Sequence, residues 1–594
     1  MKELLHYPFD PNMIIRKKKA IKKELLLKKD MESYRIAILG GSTTAEIRDI
    51  LELFLLKSGI QPSFYESQYN RFYEEAVFDN AELDSFNPQF VIIHSGIINI
   101  ESYPDVVDSE EVVVDKVKKT VEKFETIWSQ LYTKYHCQII QNNFELPHRR
   151  IFGNLDTVDH RGRVNYVLNL NREFSLADRK NKFLHINDVH YLSSMLGIRE
   201  WFDPSYWFLY KYALSYKAIP YFCYNVSAIL GAILGKSKKL LVVDLDNTLW
   251  GGVIGDDGVG GINLGKDTPE GEAFSDFQNY LKSLKNRGVM LAVCSKNEMT
   301  SAREGLSHPD SVLNVDDFAS VNASWEPKDG SIKKIAQELN IGMDSIVFID
   351  DNPAERELVT ENVPLVEVPN IGNDVVDFPE IVDRSGFFET ISISKDDINR
   401  NEYYNQNSKR IQSKGMFADH DEYLASLQMV AEIGEFSTMY IERITQLTNK
   451  TNQFNLTVRR YAQAEMEEVL GNALYIGLYG KMRDKFGDNG LVSVMLGKIS
   501  DHGEIHIDLW VMSCRVFNRG MEFAMFDEFV KVCIERRVEE IYGYYIPSAK
   551  NSIVSGLYPL LGFKNISKNE TGAIIWKMSS KEYKKTNNKI RIGD

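Results

Sequence analysis

The stretch VVDLDNTLWGG, from Val242 to Gly252, carries two aspartates directly after an apolar run. A short apolar run bounded by polar and turn residues predicts a buried strand. Asp244 and Asp246 therefore come where a strand ends, and in open α/β sheets the carboxyl ends of the strands form the ligand crevice. Acidic residues at strand ends are also common as simple caps, so the meaning of this pair depends on its neighbours.

Polar side chains follow two further predicted strands, and a lysine precedes the helix predicted between them. Ser295 follows VMLAVC, Lys328 lies in WEPKDG, and Asp350 and Asp351 follow SIVFI. Because the carboxyl ends of parallel strands meet at one edge of a sheet, we expect these side chains to converge with Asp244. Elements in this order and context indicate one site rather than unrelated caps.

These residue types suit metal-assisted phosphoryl transfer. A carboxylate can attack phosphorus and form an aspartyl-phosphate, and a second carboxyl group can donate and then accept the proton. Mg²⁺ shields the carboxylate from the phosphate charge, while a hydroxyl and a lysine bind the phosphoryl oxygens. We therefore expect Mg²⁺ as a cofactor and a phosphorylated small molecule as the substrate.

The motifs DLDNT and IDDN, together with the serine and the lysine, resemble the haloacid dehalogenase (HAD) superfamily of phosphotransferases. The resemblance implies Asp244 as the nucleophile and Asp246 as the general acid and base, with Ser295 and Lys328 holding the phosphoryl oxygens. It also implies that Asp350 completes a Mg²⁺ site with the Asp244 carboxylate and the Asp246 carbonyl oxygen. Three neighbours would support the phosphate and the metal: Thr248, Asn297 and Asp351. The gaps on either side of Ser295, of about 48 and about 32 residues, hold no large inserted domain, so a minimal cap is expected.

A narrower resemblance rests on DLDNTLWGGVIGDDG, CSKN and NKTNQFNLTVRR, the last running from Asn449 to Arg460 outside the phosphatase-like segment. These stretches are similar to the FkbH-like family, and the similarity extends from about Ile36 to Phe563. Membership of this family implies transfer of a glyceryl-type acyl group to an acyl carrier protein. The donor would be a phosphorylated three-carbon compound such as 1,3-bisphosphoglycerate.

An enzyme thiol could carry the acyl group in transit. Cys294 is the first candidate because it neighbours Ser295, and Cys514 in MSCRVFNRG is the second. The alternative for both is the usual one for a free cysteine, a small buried apolar side chain.

The C-terminal part resembles the GNAT acyltransferase fold in RVFNRG, Arg515 to Gly520, and in NSIVSGLYPLLGF. The resemblance implies a loop whose backbone N–H groups hold a pyrophosphate at a helix N-terminus. Asn518 stands where the pattern has its first glycine. Asn551 would contact a pantetheine arm, and Tyr558 stands where the fold often places an acid for the leaving thiolate. Two alternatives stay open: a domain that binds coenzyme A, or a degenerate one that docks the phosphopantetheine of a carrier protein.

The N-terminal part resembles the SGNH hydrolase fold in LGGSTT and HSGIIN. The resemblance implies Ser42 at the nucleophile position and Gly96 and Asn99 at the oxyanion positions. A nucleophilic serine needs a histidine base, but the matching stretch DPSY, from Asp203, has Tyr206 in its place. A scaffold or binding domain without hydrolase activity is therefore favoured.

The order of these elements predicts an α/β multidomain protein, since 594 residues are too many for one core. The predicted parts are a basic helical segment (1–33), an SGNH-like, flavodoxin-type three-layer domain (34–235), a HAD-like Rossmannoid domain (236–376), a helical connector (377–429), a GNAT-like α+β domain (430–580) and a tail (581–594). In the first part, the basic stretch from Arg16 to Lys29 favours a solvated helix that docks through Leu25–Leu27 over a membrane-surface helix.

Composition excludes several classes of protein. A net charge of -14 argues against a nucleic-acid binder. Five scattered cysteines suit a reducing cytoplasm, the absence of an apolar run of membrane length predicts no membrane span, and no signal-peptide pattern is expected.

Three alternatives to the coupled phosphatase remain. One is a plain phosphomonoesterase in surface-polysaccharide biosynthesis. Another is an SGNH-type esterase with an auxiliary HAD domain, which the missing histidine disfavours. The third is a scaffold with decayed sites, which the intact phosphatase-like residues disfavour.

Overall fold

A computed structural model describes residues 2–27, 31–400, 402–403, 406–407, 410, 413, 417, 419–451, 453–461, 463–548, 550–569 and 572–593. The chain forms two compact units, Met1–Ile233 and Leu234–Asp594. The predicted domain limits inside these units stay predictions, and the predicted connector lies partly outside the described residues.

The first unit is built on a parallel sheet with the order β2-β1-β3-β4-β5. This is the flavodoxin-like order, in which the chain reverses direction across the sheet beside the first strand. The strands are β1 (Glu32–Gly40), β2 (Ile60–Glu66), β3 (Phe90–His94), β4 (Gln138–Asn142) and β5 (Leu184–Asn187).

Ten α-helices are described in this unit. Their bounds are α1 (Pro11–Leu25), α2 (Ala45–Lys57), α3 (Phe72–Val77), α4 (Ala81–Phe86), α5 (Glu110–Tyr135), α6 (Arg163–Lys180), α7 (Val189–Leu196), α8 (Ile198–Trp201), α9 (Pro204–Tyr210) and α10 (Ala218–Ile233). The helix α1 packs on α2 and α10, whereas α5 and α6 pack on each other.

The basic helix α1 docks through a different face from the one predicted. Ile14, Ile21 and Leu25 are buried, one turn or two apart along the helix, while Leu26 and Leu27 are exposed. The prediction that Leu25–Leu27 dock together was wrong, because consecutive residues point to different sides of a helix, and only Leu25 of the three is buried.

The second unit begins with a parallel four-stranded sheet of order β8-β7-β6-β9. Its strands are β6 (Leu240–Val243), β7 (Met290–Ser295), β8 (Ser320–Ala323) and β9 (Ile346–Ile349). The helices along this part are α11 (Ile254–Asp257), α12 (Pro269–Asn286), α13 (Met299–Leu306), α14 (Lys328–Glu338), α15 (Pro353–Asn362) and α16 (Phe378–Arg384). Apolar clusters fill both faces of the sheet.

The rest of the second unit holds a mixed, mainly antiparallel sheet of order β15-β16-β14-β13-β12-β11-β10-β17. Its strands are β10 (Val430–Glu435), β11 (Tyr475–Asp484), β12 (Gly487–Ile499), β13 (Ile505–Met512), β14 (Glu540–Tyr545), β15 (Lys564–Lys568), β16 (Ile574–Ser579) and β17 (Arg591–Ile592). The described helices are α17 (Lys395–Ile398), α18 (His420–Ser426), α19 (Ile441–Lys450), α20 (Gln463–Val469), α21 (Met521–Glu535) and α22 (Leu557–Leu560). The predicted multidomain α/β fold class is confirmed.

Among the described residues, no helix combines the length and the apolar character that a membrane span needs.

Candidate active site

The centre of the candidate site is set by the register of two neighbouring strands. Val243 pairs with Ile349, so Asp244 and Asp350 leave the sheet side by side. Lys328, the first residue of α14, places its Nζ 3.0 Å from Asp244 Oδ1 and 2.5 Å from Asp350 Oδ2. All three side chains are buried, so the lysine charge acts in a low dielectric, where its attraction to the carboxylates is strong.

The carboxylates of Asp244, Asp350 and Asp351 could hold a metal ion, because each offers an oxygen within 4.8 Å of the others. Burial raises the pKa of Asp244 to about 6, against the pull of Lys328, and burial also raises the pKa of Asp350 and of Asp351. The ammonium of Lys328 has its own pKa raised by Asp244 and Asp350, although burial opposes this shift. Three crowded carboxylates facing one lysine leave negative charge that a hard, oxygen-binding cation would neutralise.

Asp246 is held in one orientation by three donors. Its Oδ1 accepts hydrogen bonds from Trp250 Nε1 at 2.9 Å and from the Ile254 backbone N–H at 3.1 Å. Its Oδ2 accepts from Asn297 Nδ2 at 2.8 Å, and the same nitrogen lies 3.2 Å from Ser295 Oγ. The structure therefore links Asp246 to the end of β7 through one amide, which suits a group that must exchange a proton at a fixed place.

The loops around the aspartates are braced by two further side chains. Thr248 is fully buried, and its Oγ1 accepts from the Asp351 backbone N–H at 3.2 Å. Arg356 donates to the carbonyl oxygens of Asp350 and Asp351, both at 2.7 Å. Neither Arg356 nor Trp250 was predicted. Trp250 lies four residues after Asp246 in the quoted motif, which offered a sequence clue, but the reach of Arg356 depends on the fold.

A cavity of about 580 Å³ opens beside this cluster. Asp351 and Asn247 form the wall nearest the cluster, while Pro269 and Phe274 of α12 and Asp374 form other parts of the lining. A group attached to a phosphate at the cluster would have room here.

The structure thus brings together the predicted phosphoryl-transfer residues, and it places the two cysteines differently. Cys294 is buried in an apolar cluster with its Sγ 3.8 Å from the Lys328 carbonyl oxygen. Burial raises the pKa of this thiol to about 12, which disfavours the thiolate that acyl transfer needs. Cys514 is half-buried in the turn after β13, where its carbonyl oxygen accepts from Asn340 Nδ2 at 3.0 Å.

The expected thioester-binding residues do not form an open site. Gly520, with φ of 83°, directly precedes α21, and the Arg515 guanidinium lies 4.5 Å from the Tyr403 ring centroid. Asn551 was expected to contact a pantetheine arm; instead it is fully buried, and its amide donates to the Asn455 and Ile546 carbonyl oxygens at 2.8 and 2.9 Å. That expectation was wrong because these backbone partners occupy the amide.

Tyr558 is likewise buried rather than presented to a ligand. Its ring packs beside Trp510 and Phe563, and a Cβ on Gly543 would lie 2.3 Å from the ring. The hydroxyl is enclosed, and burial raises its pKa far above the usual range. An acid for a leaving thiolate was therefore the wrong expectation for Tyr558.

In the first unit, the residues expected at an SGNH-like site are engaged with one another. Asn99 Oδ1 accepts from the Gly96 backbone N–H at 3.0 Å, and its Nδ2 donates to the Gly41 carbonyl oxygen at 2.9 Å. Ser42 is buried, and within the described residues its Oγ has no hydrogen-bond partner. Within the described residues, no histidine base is hydrogen-bonded to Ser42 Oγ, and the scaffold role stays a prediction.

Comparison with known proteins places the chain in a family. The sequence model for the FkbH N-terminal domain matches residues 35–231. One similar solved structure is the crystal structure of the N-terminal part of the protein BF1531 from Bacteroides fragilis, which contains a phosphatase domain complexed with Mg. Its sequence is 31% identical to this chain, the TM-score is 0.59, and the match covers 63% of this chain and 98% of that one. The ribosomal-protein-S18-alanine N-acetyltransferase from Escherichia coli matches over 25% of this chain and 94% of its own, with 13% identity and a TM-score of 0.20. No curated protein matches significantly. From its identity to the Bacteroides protein over nearly all of that structure, and from the domain match, the chain belongs to the FkbH-like family.

Proposed function

We propose that this protein is a Mg²⁺-dependent phosphatase of the HAD type, coupled to transfer of a glyceryl-type acyl group from a phosphorylated donor to the thiol of a carrier protein. The observation that carries the phosphatase part is the buried cluster in which Lys328 Nζ lies 3.0 Å from Asp244 Oδ1 and 2.5 Å from Asp350 Oδ2. Membership of the FkbH-like family supports the acyl-transfer part.

The residues present fit Mg²⁺. Asp244, Asp350 and Asp351 supply hard oxygen ligands close together, and the raised pKa values of their carboxyl groups reflect burial with too little positive charge nearby. A bound Mg²⁺ would neutralise charge on the phosphoryl oxygens and on Asp244, which lets the two anions approach each other. The related Bacteroides structure was determined with Mg, which supports this choice of ion.

The chain's own residues can perform the two halves of phosphate hydrolysis. Asp244 attacks phosphorus, a P–O bond to the aspartate forms, and the bond to the leaving oxygen breaks. Asp246 gives its proton to that leaving oxygen and afterwards takes a proton from the attacking water, which releases inorganic phosphate and restores Asp244. Asn297 holds Asp246 in place at 2.8 Å, while Ser295 and Lys328 are placed to bind the phosphoryl oxygens.

The acyl step needs a thiol and a good leaving group. The sulfur of a carrier thiolate attacks the carbonyl carbon of the donor's acyl phosphate, a C–S bond forms, the C–O bond breaks and that phosphate leaves. Asp244 acts on the donor's other phosphate, the ester, whose hydrolysis leaves a glyceryl group. We propose that the carrier's phosphopantetheine thiol accepts the group directly, because burial suppresses the thiolate of Cys294 and Cys514 lies at the end of β13 in the other sheet. Coenzyme A is the alternative source of the same thiol.

A plain phosphomonoesterase is the second candidate. The observation that favours it is the cavity of about 580 Å³ beside Asp351, which gives a phosphomonoester room without any thiol in its described lining. The two candidates share the phosphatase chemistry and differ in what happens to the group left after phosphate is removed.

Intact-mass analysis separates the two candidates. The full chain, Mg²⁺, 1,3-bisphosphoglycerate and a phosphopantetheinylated carrier protein are incubated, and both proteins are weighed while phosphate is assayed. A glyceryl adduct on the carrier supports the coupled function, whereas phosphate release without any adduct favours the phosphomonoesterase. Asp244→Asn should abolish hydrolysis of the phosphate ester, so that any adduct on the carrier keeps its phosphate, and the exposed Asp256→Asn should not; equal rates of ester hydrolysis in the two variants would refute both candidates.

A further inference from the structure

The mixed sheet of the second unit opens between two of its strands. β13 and β14 run parallel, but they pair only at Ile505–Ile541 and His506–Tyr542, near the start of each strand. On its other edge β13 carries a bulge at Asp508, since Leu496 pairs with Leu509 and Gly497 with Ile507. A bulge bends and twists its strand, which accounts for the divergence of β13 from β14.

The gap is filled by the segment Phe454–Thr457, which belongs to the NKTNQFNLT motif. The segment runs antiparallel to β13, and Asn455 forms a β-bridge with Val511. Two backbone hydrogen bonds join it to β13: the Met512 N–H donates to the Phe454 carbonyl oxygen at 3.2 Å, and the Leu456 N–H donates to the Trp510 carbonyl oxygen at 3.4 Å. Towards β14, the Ile546 N–H donates to the Leu456 carbonyl oxygen at 2.8 Å. The segment therefore acts as a short inserted strand that uses the free edges on both sides of the gap.

Side chains fix the segment in the gap. Leu456 is fully buried in the core of this part, and Phe454 is 5% exposed beside Trp510. Thr457 Oγ1 donates to the Asp508 carbonyl oxygen at the bulge, at 2.8 Å. Asn551 Nδ2 donates to the Asn455 carbonyl oxygen, so the residue expected to meet a ligand holds the segment instead.

The residues of the motif that precede this segment contact the four-stranded sheet β8-β7-β6-β9, which is called the phosphatase-like sheet below. Lys239, which precedes β6, donates from Nζ to the Lys450 carbonyl oxygen at 3.3 Å, and a Cβ on Gly235 would lie 2.5 Å from the Asn449 carbonyl oxygen. These contacts are at the amino end of β6. Asp244 follows the carboxyl end, about 13 Å away along a four-residue strand.

We propose that Phe454–Thr457 is a built-in occupant of the gap between β13 and β14, which excludes a pantetheine arm from it. Asn449 and Lys450, at the start of the same motif, join it to the amino edge of the β8-β7-β6-β9 sheet. A pantetheine arm is an extended chain with two amides, and in this gap it would compete for the Trp510 carbonyl oxygen, the Met512 N–H and the Ile546 N–H, which the segment already uses. The most specific motif of the chain thus has a joining role, independent of the function proposed for Asp244.

Amide hydrogen exchange on the full chain, with and without coenzyme A, tests the proposal. The amides of Leu456, Met512 and Ile546 should exchange on the order of 100-fold more slowly than exposed loop amides, as expected for hydrogen-bonded strands. Coenzyme A at about 1 mM should leave these rates unchanged. Loop-like exchange at these amides, or a saturable change in their rates on adding coenzyme A, would overturn it; coenzyme A bound elsewhere without such a change agrees with it.

A pair of leucine variants checks that the segment's own side chain holds it in the gap. Leu456→Ala removes a fully buried side chain and should speed exchange at Met512 and Ile546, whereas Leu560→Ala removes one that is 65% exposed and should leave both amides unchanged. If the two variants have equal exchange at these amides, the Leu456 side chain does not hold the segment in the gap, and the proposed occupancy is refuted. Should Leu456→Ala fail to fold, the wild-type rates decide alone.

Discussion

Lys328 Nζ lies 2.5 Å from Asp350 Oδ2, and both side chains are buried beneath the carboxyl edge of the phosphatase-like sheet. The ammonium therefore neutralises the carboxylate cluster, and under the proposed function it would have a second task, the attraction of phosphoryl oxygens. Burial makes the first task a matter of stability as well as of catalysis, because a buried charge without a partner is costly.

Replacing Lys328 by methionine should therefore impair both properties. We expect the free energy of unfolding to fall by about 3 to 5 kcal/mol, because two buried carboxylates lose their counter-charge. Denaturant unfolding measures the loss, and phosphate release should fall with it. Lys333→Met, on the same helix but 49% exposed, is the matched control and should cost less than about 1 kcal/mol. A Lys328→Met protein as stable as the control would contradict this account.

Trp250→Phe should slow phosphate release without removing a metal ligand or the nucleophile. The change keeps an aromatic ring in the core but deletes the Nε1–H that donates to Asp246 Oδ1 at 2.9 Å. A hydrogen bond to a charged group is worth about 1.5 to 3 kcal/mol, so kcat should fall about 10- to 100-fold. Steady-state kinetics checks this, with Trp325→Phe as the control because that indole is 69% exposed and binds Glu298 at the surface. Equal losses in both variants would mean that Trp250 does not position Asp246.

The stability of the metal-free protein should depend on pH through Asp244. Burial raises its folded-state pKa from 3.8 to about 6, so across this window the folded protein binds more protons than the unfolded chain. Stability should therefore fall as pH rises from about 4 to about 6. Thermal unfolding in EDTA measures the fall, and added Mg²⁺ should raise Tm more above this window than below it, because it binds the ionised carboxylates.

The control for this pH dependence is Asp244→Asn, which has no proton to exchange at that position. It should show a smaller fall across the same window and a smaller response to Mg²⁺. Identical pH profiles for the wild type and Asp244→Asn would show that another group controls the transition.

Removing the thiol of Cys294 should have little effect on either reaction. The side chain is 1% exposed and its pKa is raised to about 12, so Cys294→Ala should leave phosphate release within about twofold and keep any adduct on the carrier protein. Intact-mass analysis of Cys294→Ala and Cys514→Ala, measured side by side, checks this. An adduct lost in only one of these variants would identify that cysteine as an acyl carrier.

The convergence of the candidate site residues could be predicted from the sequence because local order determines it. Asp244, Ser295 and Asp350 each follow or end a strand, and parallel strands bring their carboxyl ends together whatever the loops do. The spacing also indicated that neither gap beside Ser295 holds a large inserted domain, and the structure describes the helices α11, of four residues, and α12, of 18 residues, between Asp246 and Ser295. The braces from Trp250 and Arg356 escaped prediction because they depend on how a loop closes over the strand ends.

The C-terminal part shows the limit of reading motifs by analogy. Asn551 and Tyr558 stand at the expected places in the chain, yet both side chains point into the core. The motif NKTNQFNLT indicated the family, but its sequence does not predict that Phe454–Thr457 inserts between β13 and β14, which lie far from it along the chain. Such an insertion depends on hydrogen bonds between residues more than fifty positions apart.

By itself, the sequence determined the order of strands and helices, the acidic strand ends and the family. These follow from hydrophobic patterning and short motifs, which act over a few residues. Only the tertiary structure decided which polar groups remain available for a ligand. Whether Lys328 neutralises Asp350, whether a thiol is buried and whether a sheet edge is already paired depend on packing between distant segments, which sets the dielectric and the hydrogen-bond partners of each group.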